Sequence, residues 1–524
     1  MSSGETRFKP RDWMMATLFF AVGLALRVPF RSHLAYHWDS AQFTLAISQY
    51  DIRLSQPHAP GYFLYVILGR LVNQFVGDPH ASLVWISVVF GSALPSIVYL
   101  LATAMFGRSA GLAAGLLALT SPQVWFHSGV ALTYVVDSFL VCTAVLILWR
   151  AAVGGGAWRD AVVIGVLLAV IGGIREQSLP ALVPLVVFSF WRAGRARVAK
   201  LILTMVVAVG LGLLWLVPMV RMSGGTRTYL EIVRLHAAFN APATLWGGGW
   251  SAFLRNVACV AGFCWNGLVL AAVVLVGALF HRAFRMTAEQ KQAWSDQHAF
   301  ALAVLAMWVV PMMALGTVVG FTKQPGYVLS YLPGWFVLVA ATIAHLKGKW
   351  PRMATILVVC AANVVAFAAW PPRWDGVFFG IGRTAREIST HDARLSQMVA
   401  TIRRLFPSGE VVVCHADEFD LYGLRHFQLY LPEYDHYQLA IDSTIPHPEG
   451  KPIWRARNGL LEFVGGVDLG NKEGIVLLVP PEENIGIFKA YFPVKSAKCL
   501  MEGASTLYFL PAEAAQRAQK SHID

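Results

Sequence analysis

Apolar stretches about as long as a membrane-crossing helix recur along the first 370 residues and then stop. Windows at 13–30, 82–105, 110–126, 129–149, 160–174, 178–191, 198–220, 252–280, 298–319, 327–345 and 351–370 read as eleven transmembrane helices, because roughly 20 apolar residues cross a hydrocarbon core about 30 Å thick. A further stretch, residues 61–76, is interrupted by Arg70, Asn73 and Gln74 and reads as an amphipathic helix lying in the interface. Beyond 370 the periodicity changes. Residues Arg394–Phe406 have helical spacing, while Glu410–Cys414, Tyr437–Ile441, Gly474–Val479 and Ser505–Leu510 read as strands. The fold class expected is an α-helical polytopic membrane protein of about 11 spans with a small C-terminal α/β extracytoplasmic domain. Its parts are residues 1–370, with an outer loop 31–81 holding the interfacial helix 61–76, and residues 371–524.

Composition supports that reading: 56% of residues are apolar, 14% are charged and the mean hydropathy is +0.55. Those values exclude a soluble enzyme, a fibrous protein and a disordered chain. Charge divides the chain at the same place. Up to Trp370 there are 26 Lys and Arg against 11 Asp and Glu; from Pro371-Pro372 onward there are 16 against 19. The net +12 therefore belongs to the membrane part, where basic residues orient helices, and gives no support to nucleic-acid binding.

With 61–76 in the interface, sixteen basic residues fall in cytoplasmic loops and eight in outer ones, as the positive-inside rule asks. If 61–76 crossed, the cluster Arg192, Arg195, Arg197 and Lys200 would face outward. The expected placement is multi-pass in the cell (inner) membrane, with the N-terminus cytoplasmic, the first helix retained, and the tail outside. There Cys414 and Cys499 could form a disulfide.

Carboxylates in the membrane part are few enough to sort. Glu5, Asp12, Asp160, Glu289 and Asp296 fall on the cytoplasmic side, which leaves Asp39, Asp51, Asp78, Asp137, Glu176 and Glu231. Asp39, beside His37 and Trp38, reads either as a helix N-cap or as an active-site carboxylate. His58 starts the amphipathic helix after Pro57. Asp137 lies inside an apolar helix, where a carboxylate is costly enough to need a function or a partner, Arg175 among the partners. Glu231 reads as a solvated face. Arg175 and Lys323, at outer helix junctions, either meet a lipid phosphate or snorkel to the interface. Gln324 and Tyr327 accompany Lys323, with Tyr327 alternatively an interfacial belt aromatic.

The order Trp38-Asp39-Ser40 then Gln56-Pro57-His58-Ala59-Pro60-Gly61-Tyr62, directly after a first transmembrane helix, resembles the C-type (GT-C) glycosyltransferase superfamily. That superfamily includes protein O-mannosyltransferases, the lipid A aminoarabinose transferase and relatives of rhizobial lipopolysaccharide sugar transferases. The resemblance extends through Ser121-Pro122 with Asp137, Gly172-Gly173-Ile174-Arg175, Ser223-Gly224-Gly225 and Lys323-Gln324-Pro325-Gly326-Tyr327. The chain has Asp39-Ser40 where the mannosyltransferase branch commonly has two acids, and His58-Ala59-Pro60 where many members have His-Pro-Pro.

The resemblance implies inverting transfer of a sugar from a polyprenyl-phosphate donor to an envelope glycan, lipid or protein acceptor. It implies Asp39 as catalytic base, Arg175, Lys323 and Tyr327 at the donor phosphate, and Trp38, His58, Gln324 and Asp137 at the substrates. A divalent ion serves some members and not others; His58, His127 and His236 show no ligand spacing, so no metal is assigned. The alternative from another class is a transporter or flippase of lipid-linked sugars. Transporters of this size usually repeat their special segments in two halves, and nothing in residues 200–370 mirrors the outer loop.

Overall fold

The computed structural model describes residues 8–284, 287–320, 324–369, 384–407, 409–416, 422–439, 453–457, 460–479, 484–501 and 506–521. The chain divides into two compact units. One comprises Met1–Arg31 with Tyr62–Ile388; the other comprises Ser32–Gly61 with Ser389–Asp524. The outer loop is thus split, and most of it folds with the tail; the sequence boundary at 370/371 had kept the whole loop with the membrane part.

In the first unit every apolar window is helical. Among the described residues six helices are long and apolar enough to cross a membrane unaided: Pro10–Phe30, Pro79–Phe106, Tyr134–Gly154, Arg197–Met222, His298–Val319 and Lys349–Ala368. Helix Phe63–Val76, in the amphipathic stretch, has 14 residues and is about 21 Å long, too short to cross alone.

Two windows are broken. The stretch 252–280 is not one straight span: Leu245–Leu268 and Leu270–His281 meet at 105°. The break falls at Val269, a β-branched residue at φ 49°. A carbonyl freed inside a membrane needs a protein donor, and that of Gly267 accepts the Ser121 hydroxyl at 2.7 Å. The window 110–126 divides at Ser121 into Arg108–Thr120 and Pro122–Ser128, since Pro122 has no N–H to continue the ladder. Fully buried Arg27 meets the carbonyl end so exposed, reaching Leu119 O at 3.4 Å, Ser128 Oγ at 3.2 Å and Gly23 O at 3.4 Å. A cation suits the negative end of a helix dipole.

The second unit is built on a seven-stranded sheet. Its strands are β1 (Val411–His415), β2 (Asp435–Leu439), β3 (Ile453–Arg457), β4 (Leu460–Val464), β5 (Gly474–Val479), β6 (Lys498–Met501) and β7 (Thr506–Pro511), in the order β4-β3-β2-β1-β5-β7-β6. The pairs β1–β2 and β1–β5 are parallel and the rest antiparallel. Both β1 and β5 are buried throughout, which is why they read as continuous apolar runs. Leu395, Met398 and Ile402 of helix Ala385–Leu405 cover one face, and Phe488, Phe492 and Ala515 the other. Cys414 and Cys499 are both free. They lie on β1 and β6, three strand spacings or about 14 Å apart, beyond the reach of a disulfide.

His415, ending β1, and His436 on β2 are both 1% exposed, with Nε2 of the first 3.4 Å from Nδ1 of the second. His436 donates through Nε2 to Leu431 O at 2.8 Å, so Nδ1 is its acceptor. Burial pushes His436 down to about 4, against smaller opposing effects of the Leu431 carbonyl, Asp435 and Glu433. Burial and the neighbouring His436 and His426 push His415 well below the ordinary imidazole range. The unfolded chain therefore binds more protons between about pH 6.5 and 4, so stability is present above that window and is lost as pH falls through it. Thermal melting of the full chain in detergent should show the sheet unit losing up to about 3 kcal/mol there. His436→Gln, which keeps a donor for Leu431 O, should flatten the slope.

Candidate functional site

Most carboxylates already have partners. Asp12 holds Arg108 through two bonds of 2.6 and 3.0 Å. Asp51 forms a bidentate pair with Arg53, whose N–H it also accepts. Asp78 caps helix Pro79–Phe106 through Ala81 N, and Asp160 accepts Ala157 N. Glu231 is exposed on helix Thr226–Asn240.

Asp39 is different. It does not cap helix Trp38–Ser48; that role belongs to His37, whose Nδ1 accepts Asp39 N at 3.1 Å. The Asp39 carboxylate accepts no hydrogen bond among the described residues. Its oxygens lie 3.7 Å from His37 Nδ1 and 3.6 Å from His58 Nδ1, and the side chain is 21% exposed. Gln42 Oε1 sits 2.6 Å from His58 Nδ1, which places that ring's proton on the side facing Asp39 and Gln42. Trp38 is 8% exposed and packs with Leu424, Ala456 and Trp454, so its ring belongs to the core of this unit.

In the helical unit the distinctive group is Arg175, which ends helix Trp158–Arg175 and is 4% exposed. Its Nη1 donates to Thr133 Oγ1 at 2.9 Å. Its guanidinium carbon stands 4.3 Å from the Tyr134 ring and 4.2 Å from the Tyr327 ring, and those rings meet edge-on at 5.5 Å. Two rings can hold a cation by roughly 0.5–2 kcal/mol each. Nη2 is buried with no hydrogen-bond partner among the described residues, and Arg175 lines a small cleft with Ser178, Phe263, Met312, Ser330 and Tyr331. Asp137 does not pair directly with Arg175: Oδ2 accepts Ser178 Oγ at 2.8 Å, while buried Oδ1 has no partner among the described residues. The site therefore holds a fixed, buried cation with one amino group unpaired among the described residues.

Of the remaining candidates, Gln324 opens the 3₁₀ turn Pro325–Ser330 that presents Tyr327, and Lys323 lies outside the described residues. Among the described residues no group of three or more His, Cys, Asp or Glu side chains is placed to hold a metal. His127 Nδ1 is 2.8 Å from Gln123 O. Sequence reasoning missed Tyr134, Thr133, Ser178 and Gln42. Tyr134 carried a faint signal as an aromatic starting an apolar helix; Gln42, one helical turn after Asp39, carried none.

Residues 56–221 match the family model described as dolichyl-phosphate-mannose-protein mannosyltransferase, a stretch holding His58, Asp137 and Arg175. No curated protein matches the chain. Among solved structures, ArnT from Cupriavidus metallidurans bound to undecaprenyl phosphate is similar at 12% identity, covering 97% of this chain and 99% of that one with a TM-score of 0.58. The apo state of the same protein is similar at 12% identity over 96% and 98%, with a TM-score of 0.51. The chain has the fold of ArnT. With its apolar helices, that makes it a multi-pass membrane protein.

Within this fold, Gly326 explains how Tyr134 closes on Tyr327 and Arg175. A Cβ there would lie 2.3 Å from the Tyr134 ring. Gly326→Ala should therefore cost about 1–3 kcal/mol of stability by overpacking. The cost should shrink in the Tyr134→Ala background, a coupling that thermal melts of the two single variants and the double variant would measure.

Proposed function

We propose that this chain is an inverting glycosyltransferase that moves a sugar from a polyprenyl-phosphate donor to an extracytoplasmic acceptor, a cell-envelope glycolipid, polysaccharide or protein. The observation that carries the reading is the buried Arg175 guanidinium, which packs against two tyrosine rings and whose Nη2 has no hydrogen-bond partner among the described residues. The acceptor oxygen attacks the anomeric carbon as the bond from that carbon to the phosphate oxygen breaks. The electron pair leaves with the phosphate, and the acceptor's proton passes to Asp39. A departing phosphate monoester is already an anion, so it needs a cation more than an acid; one carboxylate then suffices, where a glycosidase needs two.

Arg175 supplies the cation, with Lys323 as a second, and Tyr327 holds the guanidinium plane. His58, Asp137, Gln324 and Trp38 serve the substrates or the groups that touch them. The ArnT structure with undecaprenyl phosphate supports the donor class through shared fold, and the matched family's description supports sugar transfer from a polyprenyl-type carrier. In this reading the tail and outer loop face the extracytoplasmic side of the inner membrane.

The test incubates purified chain with defined undecaprenyl-phosphate sugars and measures release of undecaprenyl phosphate. Arg175→Gln should weaken binding of undecaprenyl phosphate by roughly ten- to a hundredfold, the loss of a charge-assisted contact worth about 1.5–3 kcal/mol. Unchanged binding would return Arg175 to a packing role. Asp39→Asn should lower turnover by roughly 10²–10⁴ with melting unchanged, because the helix cap is His37. Turnover within a fewfold of the parent would remove Asp39 as the base and point to an acceptor that is itself anionic.

A further inference from the structure

The stretch Ser32–Gly61 carries Asp39, and residues of the tail tie it down along its length. Asp392 accepts His33 N at 2.7 Å and Leu34 N at 3.2 Å, and the Tyr430 hydroxyl accepts Ala35 N at 2.7 Å. Tyr430 is itself held, its carbonyl accepting Arg403 Nη2 at 2.9 Å. Next along the chain, Trp38 packs on Leu424 and Ala456. On the far side of the Asp39 helix, Arg425 donates through Nη2 to Leu54 O and through Nη1 to Gln428 Oε1 at 2.7 Å.

Arg425 is 0% exposed, stands 6.0 Å from the Trp38 ring and forms no ion pair among the described residues. A buried cation without a carboxylate is costly. Replacing it with an apolar side chain would leave Leu54 O without its donor, so what Arg425 contributes is the fixed place of that carbonyl. A helix anchored at residues 33–35, at 38 and at 54 cannot shift along or about its axis without breaking one of these contacts.

We infer that the tail domain is the platform that positions Asp39, with Arg425, Tyr430 and Asp392 as positioning residues for the acceptor-activating carboxylate. The inference rests on the transferase reading above for its catalytic consequence, while the anchoring is read independently. Carboxylate placement to within about 0.5 Å is what such chemistry demands, and misplacement by about 1 Å costs up to a hundredfold.

The experiment uses the full chain with Arg425→Met, which keeps most of the stem's bulk, Arg425→Lys, which keeps a donor, and Tyr430→Phe, which deletes one hydroxyl. Hydrogen exchange is read over residues 33–54, kcat and KM with an undecaprenyl-phosphate sugar, and affinity for undecaprenyl phosphate. Arg425→Met should speed exchange in 33–54 and lower kcat roughly ten- to a hundredfold with donor KM and affinity unchanged. Arg425→Lys should recover part of both effects. If Arg425→Met does not fold, Tyr430→Phe should give the same pattern at smaller size. Unchanged exchange overturns the anchoring, and faster exchange with unchanged kcat overturns the positioning. If the parent releases no undecaprenyl phosphate from any donor, the transferase reading fails by itself, and exchange still decides whether the tail holds the loop.

Discussion

A buried cation that forms no ion pair among the described residues sets the terms for the helical unit. Arg175 is fixed by one hydroxyl and two aromatic faces, none of which neutralises it. Much of the local architecture follows from that requirement. Thr133 must stand at the start of helix Tyr134–Gly154, the 3₁₀ turn Pro325–Ser330 must bring Tyr327 edge-on to Tyr134 beside the guanidinium, and Gly326 must lack a side chain for Tyr134 to fit. The turn is secured by Ser138, whose hydroxyl donates to Leu329 O at 2.6 Å, and by Trp308, whose Nε1 donates to Ser330 O at 3.0 Å. Burial is what gives such a cation leverage, because in low dielectric its attraction for a phosphate far exceeds the value in water.

The carboxylates obey a complementary logic. Asp12, Asp51, Asp78, Asp137 and Asp392 each accept hydrogen bonds. Asp39 accepts none among the described residues and stays partly open to solvent. Its helix gains from His37 the capping that Asp39 would otherwise supply, so the carboxylate is not used as a cap.

What the sequence made legible follows from the range over which each feature is determined. Apolar windows became helices because about 20 apolar residues in lipid have few alternatives, and β1 and β5 stood out because central strands are apolar on both faces. The break at Val269 was hidden, since it depends on Ser121, 146 residues away from Gly267. Edge strands β4 and β6, the β3 strand beside β4, and helix Leu424–Tyr430 lack a clean period. The membership of Ser32–Gly61 in the tail unit was invisible for the same reason, as the Ala35–Tyr430 bond joins residues 395 apart. Of the candidate site, Asp39, Arg175 and Tyr327 stood out in the sequence by elimination and motif order. Tyr134 and Gln42 emerge only when distant segments are brought together.

The central claim is that Arg175 Nη2 is the donor-phosphate contact, and a structure of the chain determined with undecaprenyl phosphate tests it most directly. The account predicts a phosphate oxygen about 2.7–2.9 Å from Nη2, with the Tyr134 and Tyr327 rings still flanking the guanidinium. A phosphate bound away from Arg175, with Nη2 facing only apolar side chains or lipid tail, would contradict it.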